Sequence, residues 1–177
     1  MKDNGPVTQK EYLLPEGTAI VSRTDTYGNI ILANEAFIEA SGYAWKDIVG
    51  QPHNILRHPD VPEAVFKDFW QTIEAGKPWS QVVKNRRKNG DHYWVVANAT
   101  PTYENGEING FMSVRTPATR KQIADAEIAY KAISAGKLNL KGGIPKSLIN
   151  ELNPILNADP AKMTAILALM LMTLTLL

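Results

Sequence analysis

Hydrophobic positions along this chain change their spacing three times, and each change marks a different kind of element. In "TAIVSRTDTYGNIILA" two short β-branched runs, about 18–24 and 28–33, flank "DTYGN", whose Gly and Asn suit a turn, which predicts a β-hairpin. The spacing then lengthens to that of a helix. In "NEAFIEASGYAWKDIVGQ", Asn34 caps a short helix whose apolar side carries Phe37 and Ile38; Gly42 ends it, and Trp45–Ile48 predicts a further helical turn. In "HPDVPEAVFKDFWQTIEAGKP", Val65, Phe66, Phe69, Trp70 and Ile73 make a helical stripe. With Asp60 as N-cap, Pro62 in the first turn and Gly76 as the stop, the prediction is a helix over about 61–75.

Strand spacing returns in "WSQVVKNRRKNGDHYWVVANATPTYENGEINGFMSVRTPA", three runs separated by "KNGD" and "ENGE", Asn-Gly pairs of the kind that close hairpins. Strands at both ends with helices between them predict an α+β domain, and loops this short impose antiparallel pairing. Helices are expected to cover one face of the sheet. "TRKQIADAEIAYKAISAG", residues 119–136, is Ala-rich with Ile123, Ile128 and Ile133 among charges and predicts an amphipathic connector helix. Prolines and glycines then predict a linker up to residue 160.

The segment 161–177 contains "MTAILALMLMTLTLL", fifteen uncharged residues preceded by Lys137, Lys141, Lys146 and Lys162. At 1.5 Å per residue it reaches about 22 Å, short of a ~30 Å hydrocarbon core. The basic flank still favours reading it as the start of a membrane anchor, with the first domain in the cytoplasm.

Nineteen basic and eighteen acidic residues leave a formal charge of +1, which supplies no electrostatic reason to expect a nucleic-acid partner. "KNRRKNG" is read as a solvated hairpin tip. The absence of cysteine excludes disulfides, thiolate metal sites and any thiol adduct. There is no GxGxxG after a strand, no P-loop and no GxSxG elbow, and His53, His58 and His92 lack zinc-site spacing. No catalytic or metal site is expected, although one histidine could serve as an axial haem ligand.

Candidate binding chemistry concentrates in "HNILRHPDVP", residues 53–62, where Arg57 offers a planar fork and Asp60 acceptors beside an apolar helix. Capping by Asp60, with Arg57 and His58 solvated, is the simpler alternative. Strand alternation puts Trp79, Val83 and Asn85 on one side, and an inward amide asks for a ligand or water to satisfy it.

The segments "ANEAFIEASGY", "IVGQPHNILRHPD", "GKPWSQVVKNRRKNGDHYWVVANATP" and "GFMSVRTPAT" resemble a PAS domain, specifically that of bacterial aerotaxis receptors of the Aer type. The resemblance covers about residues 7–135, with 7–118 as the sensor domain. It implies a five-stranded antiparallel sheet that holds FAD noncovalently as a redox sensor and signals by conformational change. By the same resemblance Arg57, His58 and Asp60 support FAD binding, while Asn34, His53, Trp79 and Asn85 lie near the flavin. It also implies a homodimer, a respiratory electron donor, an inner-membrane anchor, and a HAMP and chemoreceptor signalling module that this chain does not contain. A haem-based gas sensor and a ligand-free PAS docking module are the rival readings.

Overall fold

The computed structural model describes residues 4–147. β1 (Ile20–Thr24) and β2 (Ile30–Ala33) form the first hairpin, and α1 (Glu35–Ser41), α2 (Trp45–Ile48), a 3-10 turn (His53–Leu56) and α3 (Glu63–Glu74) follow. β3 (Trp79–Arg86), β4 (His92–Glu104) and β5 (Glu107–Pro117) complete a five-stranded sheet in the order β2-β1-β5-β4-β3, every neighbour antiparallel. α4 (Arg120–Ser134) and a separate hairpin, β6 (Leu138–Lys141) with β7 (Ile144–Ser147), come after it.

The local signals act as expected at most junctions. The Asn34 side chain accepts from the Phe37 amide at 3.0 Å and so caps α1, and Gly42 ends that helix in the left-handed region. Asn105 and Gly106, φ 51° and 85°, make the two-residue turn between β4 and β5. The other Asn-Gly pair does not close a two-residue turn: β3 ends at Arg86 and β4 starts at His92, with Gly90 inside a longer loop.

The connector is the expected amphipathic helix: along α4 the buried positions are Ile123, Ala126, Tyr130 and Ile133, with Ile128 exposed, so the apolar face follows i, i+3, i+7 and i+10. Two expectations change. Asp60 does not cap α3, whose N-cap is Pro62 without a side-chain bond; Asp60 instead accepts from Lys84 Nζ at 2.7 Å. A charged partner on the neighbouring strand outcompetes the helix amides. Residues 138–147, read as linker, form the β6–β7 hairpin, and Leu138 and Leu140 pack on the core.

The inner-membrane placement is also overturned. No helix among the described residues is long and apolar enough to cross a membrane, and segment 161–177, already short for a bilayer, lies outside them. The homodimer, the respiratory electron donor and the HAMP and chemoreceptor module have no counterpart in residues 4–147, which hold the sheet domain, one following helix and one hairpin.

Candidate functional site

The sheet's inner face is not built as an ordinary core. Period-2 alternation turns Ser22 and Thr24 of β1, Val83 and Asn85 of β3, Ala97 and Ala99 of β4, and Ser113 and Arg115 of β5 inward. All eight are buried. A face meant only for packing would carry branched aliphatics here. This one carries hydroxyls, an amide, a guanidinium and two alanines too small to fill the space above them.

That space is a cleft, partly open to solvent, between the sheet on one side and the 3-10 turn and α3 on the other. Phe66, Phe69 and Trp70 of α3 and Trp79 of β3 form the aromatic wall. The ring pairs Phe69–Trp79, Phe69–Trp70 and Trp70–Phe111 all meet edge to face, with centroids 5.0–5.7 Å apart, which fixes the wall's orientation.

Arg115 is the unusual group. Its Nη1 donates to Ser22 Oγ at 3.0 Å and its Nη2 to His53 Nε2 at 2.8 Å, both neutral acceptors. No ion pair among the described residues includes it. Burial pulls its pKa down to about 10, so it keeps its charge at neutral pH without a carboxylate beside it. Burial, then the Arg115 charge, pushes His53 down to about 3, leaving a neutral ring whose Nε2 accepts and whose proton sits on Nδ1.

Other cleft atoms lack partners. Thr24 Oγ1, Asn85 Nδ2, Arg57 Nε and Arg57 Nη2 are buried and bond to nothing. Arg57 lies over the Phe66 ring at 4.5 Å from its centroid. A floor with this many unmet polar groups has hydrogen-bonding capacity that the protein's own side chains do not use.

His58 and Asp60 stand outside the cleft lining and fasten its rim. A bridge pairs Arg57 with Asn85, His58 is fully buried and accepts the Asp60 amide on Nδ1 at 3.2 Å, and Lys84 closes on Asp60. Burial and the Lys84 charge hold His58 at about 4. For Asp60, burial works to raise its pKa, but the Lys84 hydrogen bond and the neighbouring charges outweigh it and the carboxyl stays low. Asn34 lies away from the cleft, where it joins Val21 N and Ala19 O to the start of α1.

Four of the seven expected residues, His53, Arg57, Trp79 and Asn85, therefore line one cleft, while His58 and Asp60 brace it and Asn34 fixes the start of α1. The basic loop is not a solvated tip. Arg86 donates to Pro6 O, Arg87 donates to Ala40 O and Glu39 O and stacks on Tyr12, and Lys88 pairs with Asp47. Arg115, Ser22, Thr24, Ser113, Ala97 and Ala99 were not singled out from the sequence. The available signal was parity: in "FMSVR", Phe111, Ser113 and Arg115 share a face, and an arginine at an inward position needs a reason.

The model of the PAS fold matches residues 30–115. The aerotaxis receptor of Escherichia coli K12 is 48% identical over 149 residues, covering 84% of this chain and 29% of the receptor. This chain carries a PAS domain. The light state of the blue-light photoreceptor Aureochrome1 LOV shares the fold with a TM-score of 0.57 at 19% identity, covering 63% of this chain and 90% of that one. A second light-oxygen-voltage domain structure, from a flavin-analogue study of its mechanism, gives 0.54 at 19% identity, covering 66% of this chain and 87% of that one. Among the described residues of the PAS domain no cluster of three or more His, Asp or Glu side chains is placed to hold a metal ion.

Half-buried His53 and buried His58 and His92, all with lowered pKa values, give the PAS domain a specific pH response. The unfolded chain protonates them near pH 6.5, whereas the folded domain keeps His53 neutral down to about 3 and His58 down to about 4. Stability is therefore full above pH 6.5 and falls as pH drops towards those values, by up to about 1.4 kcal/mol per pH unit for His53. Urea denaturation at pH 7, 6 and 5, above the range where carboxylates titrate, should show this decline, and His53→Gln should make it shallower. An unchanged midpoint across that range would mean that His53 is not held neutral by the fold.

Proposed function

We propose that the cleft holds a flavin, specifically FAD bound without a covalent link, and that the domain senses redox state and answers by changing conformation. The observation that carries this reading is Arg115, a buried guanidinium whose observed partners are a hydroxyl and a neutral imidazole. Such a group is retained where a ligand brings electron-rich oxygens or nitrogens to it. The unpartnered Asn85 amide and Thr24 hydroxyl suit the ring's alternating donors and acceptors, and the aromatic wall suits its apolar face. The relationship to the aerotaxis receptor supports the same assignment.

Flavin supplies two-electron and one-electron redox chemistry when bound, and the protein supplies position and field. Arg115 stabilises negative charge that reduction brings to its neighbourhood. His53, neutral and accepting from Arg115, orients that guanidinium without competing for it. Arg57, with two unpartnered nitrogens, suits the dinucleotide's phosphates, and Asp60 and His58 act as positioning residues that hold the rim, while Asn34 fixes the start of α1. With no cysteine in its 177 residues, this chain forms no light-driven thiol adduct.

Heat release of the ligand from purified protein, followed by chromatography against FAD, FMN and riboflavin standards, tests the finer claim. FAD is the expected product, at close to one per chain. Recovery of FMN alone would retain the flavin and overturn the dinucleotide.

A further inference from the structure

Asp68 is a buried carboxylate on α3 that takes no part in the cleft lining, yet three donors from two other elements converge on it. Trp79 Nε1 donates to Oδ2 at 2.8 Å, Gly142 N donates to Oδ1 at 2.8 Å and Gly143 N donates to Oδ2 at 2.7 Å. Trp79 is part of the cleft's aromatic wall. Gly142 and Gly143 are the turn of the β6–β7 hairpin, beyond α4, and both adopt φ values of the left-handed region, 62° and 79°. One carboxylate thus joins the wall of the binding site to the last described element of the chain.

The turn is fitted closely to its seat. A Cβ at position 143 would lie 2.6 Å from Ser80 O on β3, so only glycine lets the backbones approach this closely. Gln81 Nε2 donates to Gly143 O from the same strand. Charge-assisted bonds to a buried carboxylate are among the stronger hydrogen bonds in proteins, and their geometry leaves the indole little freedom to shift without disturbing the glycine amides.

We propose that Asp68 is a positioning residue that sets the Trp79 ring in the cleft wall and clips the β6–β7 hairpin to it, so that ligand state is read out at Gly142 and Gly143. The proposal rests on the cleft holding a flavin. A ligand that moves or restrains the Trp79 ring changes the indole's bond to Oδ2, which is shared with Gly143 N. The hairpin tightens or loosens accordingly.

Hydrogen exchange of the full chain, read by mass spectrometry over peptides spanning 138–144, tests both parts. Without ligand, Asp68→Asn, which turns one acceptor oxygen into a donor facing the hairpin amides, should speed exchange there about tenfold or more. Gly143→Ala should do the same from the other side of the clip while still binding FAD. Adding FAD, then reducing it anaerobically, should change the hairpin's exchange in the native protein. In Trp79→Phe, which keeps an aromatic wall but has no indole donor, the hairpin should stay protected and lose that response. Native-like protection in Asp68→Asn would overturn the clip. A hairpin that ignores bound FAD in the native protein, or a Trp79→Phe variant that responds as the native protein does, would overturn the coupling. A protein that takes up no FAD would sink the flavin reading and the coupling together, and the ligand-free Asp68→Asn comparison would still report on the clip.

Discussion

Arg115→Met is expected to make the ligand-free domain more stable and its flavin binding weaker. The guanidinium is buried without a carboxylate, which costs folding free energy that an apolar side chain of similar length does not incur. Replacing a buried ion pair by well-packed apolar groups has been neutral or stabilising by about 1–4 kcal/mol, and a gain towards the lower end is expected for this single buried charge in thermal or urea unfolding without ligand. His53 Nε2 loses its donor in the variant, but the Ser22 hydroxyl, 3.5 Å away, can turn to supply one. In the loaded protein the sign reverses. Loss of a charged hydrogen-bond donor worth about 1.5–3 kcal/mol should weaken FAD binding by about ten- to hundredfold. If the guanidinium favours the reduced ring by the same amount, the two-electron midpoint should fall by about 30–60 mV. Unfolding curves, a fluorescence titration with FAD and a potentiometric titration measure the three changes. A destabilised ligand-free variant would show Arg115 to be a structural element of the core.

The second large effect is steric. Ala97 and Ala99 keep the floor low beneath the cleft, and Ala99 pairs in register with Trp79 on one side and Ser113 on the other. Ala99→Leu extends a branched side chain into the space a flat ring would occupy. In the empty domain the new methyl groups enter existing space, so the melting temperature should hold or rise. FAD binding should drop by about ten- to hundredfold, the equivalent of the usual 1–3 kcal/mol of overpacking. Equal affinity in the variant and the native protein would mean that the ring does not lie over this part of the sheet.

Element order and the antiparallel sheet were legible because each rests on local chemistry: the Asn34 cap, Gly42 as a helix stop, and Asn105-Gly106 between two alternating runs. Half of the site was legible for the same reason. Parity alone put Trp79 and Asn85 on one face, and the structure shows both in the cleft. The other half depends on which strands become neighbours. Arg115 meets Ser22 and His53 only after β5 pairs with β1 and the 3-10 turn folds over them, contacts separated by 93 and 62 residues. The role of Asp60 is not legible locally, because a cap is a local rule and Lys84, its actual partner, is 24 residues away. The β6–β7 hairpin is equally hidden, because Gly142-Gly143 reads as a breaker until Asp68 supplies its acceptors.

An absorbance spectrum taken before and after anaerobic reduction decides whether Arg115, Asn85 and the aromatic wall enclose a redox-active flavin. The gently purified protein should show the two bands of oxidised flavin, lose them on reduction and regain them on admission of air. A Soret band in their place, or a protein that stays colourless after incubation with FAD, would rule the flavin out.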